Sequence, residues 1–510
     1  MLRGARQVGK TWLIDELGNQ EFNNYIKIDF EESPGYRSLF DGELDPQRIC
    51  SELEIRTGVD IEARKTLLFF DEIQACPRAI MALRYFYEKM PDLHVIAAGS
   101  LLEFVFSEIS FPVGRIQTMD IQPLNFSEFL LAAGYAKAAE ICNSPIAEVS
   151  DATHEFLIEQ LRIYWLVGGM PECVHVYTTT NSIKAATEVQ DEIIETYQLD
   201  FNKYRPKTDI SCLKAVFSSV AAHVGKQIKY TGLANDFTIP TIKKAYESIQ
   251  LARIAAKIKA VGSPGIPLEI QASEKKFKGI FLDIGLMNRT IGLEYNEAFV
   301  HHNLIAIYKG QLAEQFVGQE FEALGKRQLY YWARDAKNSN AEIDFLEVRD
   351  GKIIPVEVKD GPSGRLRSLH LFRDQYQPPY SVVFHSGPTG ILKDERIIFP
   401  GYIYGNDTNC LIKNAYVYIQ PSDIEGLSPV ILSVMGLQTP IICSDIKENI
   451  FIVENTALTF GKADVRDLTD KIVFSLTNEN TMQTNATKAK KHVDEKFNWD
   501  VVVNQYVDLF

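Results

Sequence analysis

The chain has 510 residues, 46% of them hydrophobic, and a formal net charge of -14. That length allows several domains with sizeable cores, and the acidic balance excludes a basic nucleic-acid footprint spread over the whole molecule. Seven scattered cysteines, never in C-x-x-C spacing, exclude a disulfide framework or a cysteine zinc site and fit reduced thiols.

At the N-terminus there is no apolar signal core, and no apolar run anywhere approaches the roughly 18 residues of a spanning helix. A cytoplasmic protein with no membrane span is expected. Gly4-Ala5-Arg6-Gln7-Val8-Gly9-Lys10-Thr11 fits the pattern GxxxxGK[ST]. Glycines let backbone N–H groups converge on phosphates, Lys10 offers a point charge to the β and γ oxygens, and the Thr11 hydroxyl suits Mg²⁺. "TWLIDEL" then reads as the helix that follows such a loop. Only three residues precede Gly4, so the strand that aims the loop is expected to be truncated, with Met1 an internal position of a longer protein or the copy decayed.

"KTLLFFDEIQACP" predicts a buried strand ending in Asp71-Glu72. Asp71 is placed to hold the Mg²⁺ shell, and Glu72 to polarise an attacking water. "LHVIAAGSLLEF" predicts a second buried strand ending in Gly99-Ser100, where Ser100 lies beside Asp71 and senses the γ-phosphate. "RGARQVGKTWL", "FFDEIQACP", "AAGSLLEF", "PVGRIQTMDIQPLNFSEFL" and "VGGMPECV" together resemble prokaryotic AAA+-type ATPases that carry a nuclease-like C-terminal domain of unknown function. The resemblance runs from residue 1 to about 390 and implies ATP and Mg²⁺ as ligands. It also makes Arg115 a candidate for charge on the γ-phosphate, against a structural arginine paired with nearby acids. Relatives of this kind often assemble, and an arginine acting on a neighbouring copy requires a homo-oligomer.

In the middle, "IKYTGLANDFTIPTIKKAYESIQLARIAAKIKA" predicts a short helix, a turn, a second helix and a strand, a winged-helix pattern. Ile242, Ala245, Tyr246 and Ile249 form one apolar stripe, and Pro240 suits the first helical turn. Lys243 and Lys244 face away from it and could touch DNA phosphates, but a solvated charged face is the commoner explanation, and Asp236 and Glu247 dilute the basic patch. "FKGIFLDIGLMNRTIG" closes this block, with Asp283 before a glycine turn and no chemistry assigned.

"QLAEQFVGQEFEAL" predicts an amphipathic helix bearing Glu314 and Glu320. A hairpin follows, with Asp344 near the end of one strand and Glu357-Val358-Lys359 closing the other around Arg349-Asp350-Gly351. Alternation puts Glu357 and Lys359 on one face, and the hairpin brings Asp344 alongside. Two carboxylates and a lysine are the needs of metal-assisted phosphodiester cleavage. This resembles the PD-(D/E)xK nuclease core, with Glu314 as a helix-borne fourth member; an exposed hairpin with a polar face is the plainer alternative.

From about residue 395 the character changes. "NAYVYIQPSDIEGLSPVILSVMGLQTPIICSDIKENI" predicts strand, Pro-Ser-rich loop, helix and strand. It resembles the C-terminal half of group 1 (GT-B) glycosyltransferases, and "FNWDVVVNQYVDLF" resembles that family's closing helix. In that family an E-x7-E pair lies near the sugar-nucleotide, which implicates Glu425; the second position is Ser433. The join falls near "KDERIIFPGYIYG", as in a gene fusion or an assembly error between frames.

The expected architecture is α/β and multidomain. Residues 1–205 form a P-loop parallel sheet with a helical lid, 206–290 a winged-helix piece, 291–392 a PD-(D/E)xK-like α/β domain, and 395–510 a partial Rossmann-like GT-B piece. The expected function is ATP hydrolysis; the rivals are a glycosyltransferase using a nucleotide-sugar and a non-catalytic ATP-dependent DNA- or partner-binding module.

Overall fold

The computed structural model describes residues 1–106, 114–144, 149–204, 208–293, 309–325, 328–334, 341–359, 366–387 and 406–497. The chain divides into two compact units, Met1–Leu392 and Lys393–Phe510.

The first unit begins with a five-stranded sheet: β1 (Leu2–Arg3), β2 (Asn24–Asp29), β3 (Thr66–Asp71), β4 (His94–Gly99) and β5 (Met119–Asp120). Their order is β2-β3-β4-β1-β5, and every neighbouring pair runs parallel. β3 is buried at all six positions, as its unbroken run TLLFFD requires of a strand covered on both faces. Phe70 packs edge-on against Phe40 and Phe86, with centroids 5.7 and 6.0 Å away. β1 is two residues long, yet it sits between β4 and β5, with Leu2 opposite both Ala98 and Met119. The N-terminal amine donates to the Gln117 carbonyl at 2.7 Å, extending that contact by one residue.

Helices Asp151–Val167, Pro171–Thr180 and Ile183–Asp200 follow. Then come helix Ile210–Ala222, a short turn at Tyr230–Gly232, helix Ile239–Leu251, β6 (Ala255–Val261) and β7 (Ala272–Phe281). Ile242, Ala245, Tyr246 and Ile249 are the buried stripe, and Pro240 stands in the first turn, where its missing N–H costs nothing. Ile228 bridges Phe277 in antiparallel sense.

β6 and β7 continue into a six-stranded sheet with β8 (Leu329–Ala333), β9 (Glu342–Arg349), β10 (Lys352–Val358) and β11 (Val382–Phe384). Its order is β11-β10-β9-β8-β6-β7, with β6 parallel to β8 from Ile258↔Leu329 to Val261↔Trp332. The boundary expected at 290/291 therefore runs through one sheet. The cause is packing: Tyr331 is buried among Ile258, Ala260 and Ile280, and Trp332 among Val261 and Leu268 on the opposite face. The β9–β10 turn matches its sequence, with Asp350 and Gly351 both at positive φ (50° and 68°) as a two-residue hairpin demands.

The second unit has a parallel three-stranded sheet of β12 (Tyr418–Gln420), β13 (Ile441–Ser444) and β14 (Leu458–Phe460). Helix Pro429–Gly436 connects β12 to β13, and helix Glu479–Lys496 shares a core with it. The expected join at 393–405 and the closing helix beyond Phe497 lie outside the described residues. No described helix is long and apolar enough to cross a membrane, and the seven cysteines are free thiols.

Candidate functional site

The loop Gly4–Thr11 leaves the carboxyl end of β1 and opens helix Lys10–Glu21. Two of its positions admit only glycine. A Cβ on Gly4 would meet the Ile121 carbonyl oxygen at 2.3 Å, and Gly9 has φ 85°, in the left-handed region. Ala5 and Val8 are buried and face the main core, while Gln7 is exposed at φ 61°. Arg6 turns away from the loop mouth: its Nε lies 2.5 Å from Asp200 and its carbonyl accepts from the Tyr197 hydroxyl at 2.8 Å. The helix Ile183–Asp200 thus clamps the loop from outside.

Lys10 is buried, and its ammonium donates back to the Gly4 and Ala5 carbonyls at 3.1 and 2.7 Å. Burial lowers its pKa to about 8, opposed by the charges of Glu72 and Asp71. Thr11 Oγ1 donates to Asp71 Oδ2 at 2.7 Å, so the hydroxyl and the carboxylate meet at one point. Asp71, only 3% exposed, has its pKa raised by burial. Glu72 occupies the left-handed region at φ 45°, a strained conformation for a non-glycine residue. Its Oε2 accepts from Gln74 Nε2 and stands 3.4 Å from Ser100 Oγ. Ser100 follows the last residue of β4, adjacent to β3, so the order of strands places it there. Lys10, Thr11, Asp71, Glu72 and Ser100 thus gather at the carboxyl ends of neighbouring parallel strands, where α/β sheets hold ligands. Arg115 instead pairs with Glu88 at 3.1 Å and lies over the Tyr87 ring at 5.9 Å.

A second cluster lies on the six-stranded sheet. Asp344 Oδ2 accepts from Val358 N–H at 2.8 Å, and Lys359 Nζ is 2.5 Å from Glu357 Oε1. Glu314 projects to the same place from helix Lys309–Ala323, through Lys278 of β7. Burial, ahead of the neighbouring charges, pushes Glu314 and Glu357 up to about 7. In the second unit, Glu425 accepts from Gln420 Nε2 at 3.3 Å, whereas Ser433 Oγ donates to the Pro429 carbonyl of its own helix at 2.9 Å.

Lys278 and Gln74 carry no sequence signal of their own, and Asp283 stands out in the sequence only as an acid before a glycine turn, with no chemistry assigned. Lys278 sits in an ordinary strand, and its burial shows only once β7 is in place. Gln74 stands in view within "DEIQ", but its contact with Glu72 needs the tight turn after β3. Asp283 is fully buried, its pKa raised to about 6 by that burial. Its Oδ2 accepts from Gly169 N–H at 2.6 Å and its Oδ1 from Leu286 N–H at 2.9 Å. It fastens "VGGMP" to the helix after β7, and Pro171 of that segment packs where a Cβ on Gly9 would reach, 3.4 Å away.

Residues 1–130 match the family described as AAA domain, and residues 384–478 match Glycosyl transferases group 1. Residues 158–297 and 309–403 match two families described as Domain of unknown function (DUF8612 and DUF4143). Among solved structures, the Walker-type ATPase PABY2304 of Pyrococcus abyssi is 14% identical, over 57% of this chain and 89% of that one, with a TM-score of 0.35. The RuvB Holliday junction branch migration motor of Thermotoga maritima is 14% identical over 52% and 81%, with a TM-score of 0.23. The Drosophila ORC bound to DNA is 12% identical over 58% and 90%, with a TM-score of 0.21. No curated protein matches the chain.

Proposed function

We propose that the AAA domain at the N-terminus hydrolyses ATP with Mg²⁺, using Lys10, Thr11, Asp71, Glu72 and Ser100. The observation that carries this reading is the Thr11–Asp71 contact of 2.7 Å beside a buried Lys10. When bound, Mg²⁺ neutralises charge on the β and γ phosphate oxygens. Thr11 and Asp71 would hold it through their two oxygens. Lys10 exchanges its two carbonyl partners in the loop for phosphate oxygens, and the loop's N–H groups complete the cradle. Glu72, oriented by Gln74, accepts a proton from the attacking water, and Ser100 orients Glu72 towards it. Arg115, tied to Glu88 in its own chain, contributes only if released towards a neighbouring copy in a homo-oligomer.

The test is Mg²⁺-dependent binding of a fluorescent ATP analogue, together with phosphate release. Lys10→Ala should weaken binding about tenfold or more, the worth of a charge-assisted hydrogen bond. Glu72→Gln should bind normally and turn over at least about a hundredfold more slowly. A wild-type chain that binds no nucleotide, or one in which Lys10→Ala changes nothing, ends this reading.

A second reading, a DNA- or partner-binding module set by nucleotide, draws on exposed Lys226, Lys229, Lys243 and Lys275. The Ile228–Phe277 bridge puts Lys229 next to the lysines of β7. We read helices Ile210–Ala222 and Ile239–Leu251 with β6 and β7 as a winged helix on that ground. A mobility shift that weakens steeply with salt would support it. For residues 395–510 a nucleotide-sugar reading rests on Glu425 alone, since the Ser433 hydroxyl already donates to its own helix. A calorimetric titration with nucleotide-sugars giving no heat would remove it.

A further inference from the structure

The PD-(D/E)xK-like reading of Glu314, Asp344, Glu357 and Lys359 implies a divalent cation held by the carboxylates. The donor set present does not fit one. Lys278 enters from β7 with 1% exposure, and its Nζ meets Glu314 Oε1 at 2.8 Å, Asp344 Oδ1 at 3.5 Å and Glu342 Oε1. An ammonium has three N–H donors and no acceptor, so three carboxylates consume it fully. The Tyr331 ring lies 5.2 Å beneath it. The second oxygen of Asp344 takes Val358 N–H, and Glu357 Oε1 takes Lys359. Among the described residues Glu357 Oε2 is buried with no hydrogen-bond partner, and each of the other three carboxylates already gives an oxygen to Lys278, whose charge a hard cation would have to displace. Among the described residues, no group of three or more potential ligands stands in a metal-holding arrangement.

We propose that the Lys278 ammonium is the resident cation of this cluster, and that the cluster binds no divalent metal while Lys278 is present. A metal placed among these carboxylates would sit within a few ångströms of a buried positive charge, with little solvent to screen the repulsion. The cluster then serves to pin helix Lys309–Ala323 to β7 and β9. The sheet keeps the outline of a nuclease core without its metal.

The experiment is a Mn²⁺ titration of the full-length, nucleotide-free chain, followed by electron paramagnetic resonance. Asp71→Asn is used throughout to remove the ligand of the nucleotide site. The expected result is no bound Mn²⁺ up to millimolar concentration. Adding Lys278→Met should tighten Mn²⁺ binding about tenfold or more, and adding Asp344→Asn on top should abolish the gain. Two results overturn the proposal: Mn²⁺ bound by the Asp71→Asn chain and lost with Asp344→Asn, or a folded Lys278→Met chain that gains nothing. Should Lys278→Met fail to fold, the first arm decides alone.

Discussion

Lys10 is the residue whose environment says most. Burial lowers its pKa to about 8, so its ammonium is lost as pH rises through that value. ATP affinity should therefore fall between about pH 7 and pH 9, whereas Lys10→Arg, which stays charged, should flatten the profile. A titration with a fluorescent nucleotide at several pH values reads this directly. Arg115 makes the opposite case. Its pair with Glu88 is solvent-exposed, and such pairs are worth about 0–1 kcal/mol, so Arg115→Ala should leave thermal unfolding nearly unchanged. Most of the cluster proposed to bind nucleotide stands in short contiguous motifs at strand ends, so its members could be picked out residue by residue. Lys278 was not, because nothing local separates a lysine that points into a carboxylate cluster from one that points into water.

At the scale of elements, helix Lys309–Ala323 shows how one amphipathic segment serves two neighbours. Glu314 reaches the six-stranded sheet, while Glu320 Oε1 accepts from Phe126 N–H at 2.9 Å, at the start of helix Phe126–Ala132. The helix could be read from its pattern; its partner, 194 residues away in sequence, could not. Burial raises the Glu320 pKa to about 7. The folded chain thus holds this proton more tightly than the unfolded one, and the stability it provides is present at low pH and lost as pH rises through about 7. Glu320→Gln keeps an acceptor oxygen and should remove about 1–2 kcal/mol of the difference between pH 5.5 and pH 8. Thermal melts of both proteins at those two pH values test it. Gly168 is a second element-level prediction. At φ 75° its Cβ would fall 2.2 Å from Asp283 Oδ1, so Gly168→Ala should cost about 2 kcal/mol or more in denaturant unfolding.

At the scale of the whole molecule, the chain divides into two compact units, Met1–Leu392 and Lys393–Phe510. A chain ended after Leu392 should bind ATP with unchanged affinity, since every residue proposed for that chemistry lies in the first unit. The centre of the parallel P-loop sheet was legible because β3 and β4 are apolar runs that lead into polar residues, whereas β1 and β5, two residues each, leave almost no pattern to read. The continuity of the second sheet was not. Local patterns specify β6 and β8 separately, and only burial of Tyr331 and Trp332 joins them.

That continuity bears on how this chain can be divided. Two of its family matches meet between residues 297 and 309, a natural place to cut by sequence. Cutting there would strip β6 from β8 and leave a row of unpaired N–H and C=O groups beside two large apolar rings. An open edge of that kind recruits other strands, so the excised piece would be a seed for aggregation rather than a portable module. The sheet, the unit that must fold together, straddles the seam between the two matched families.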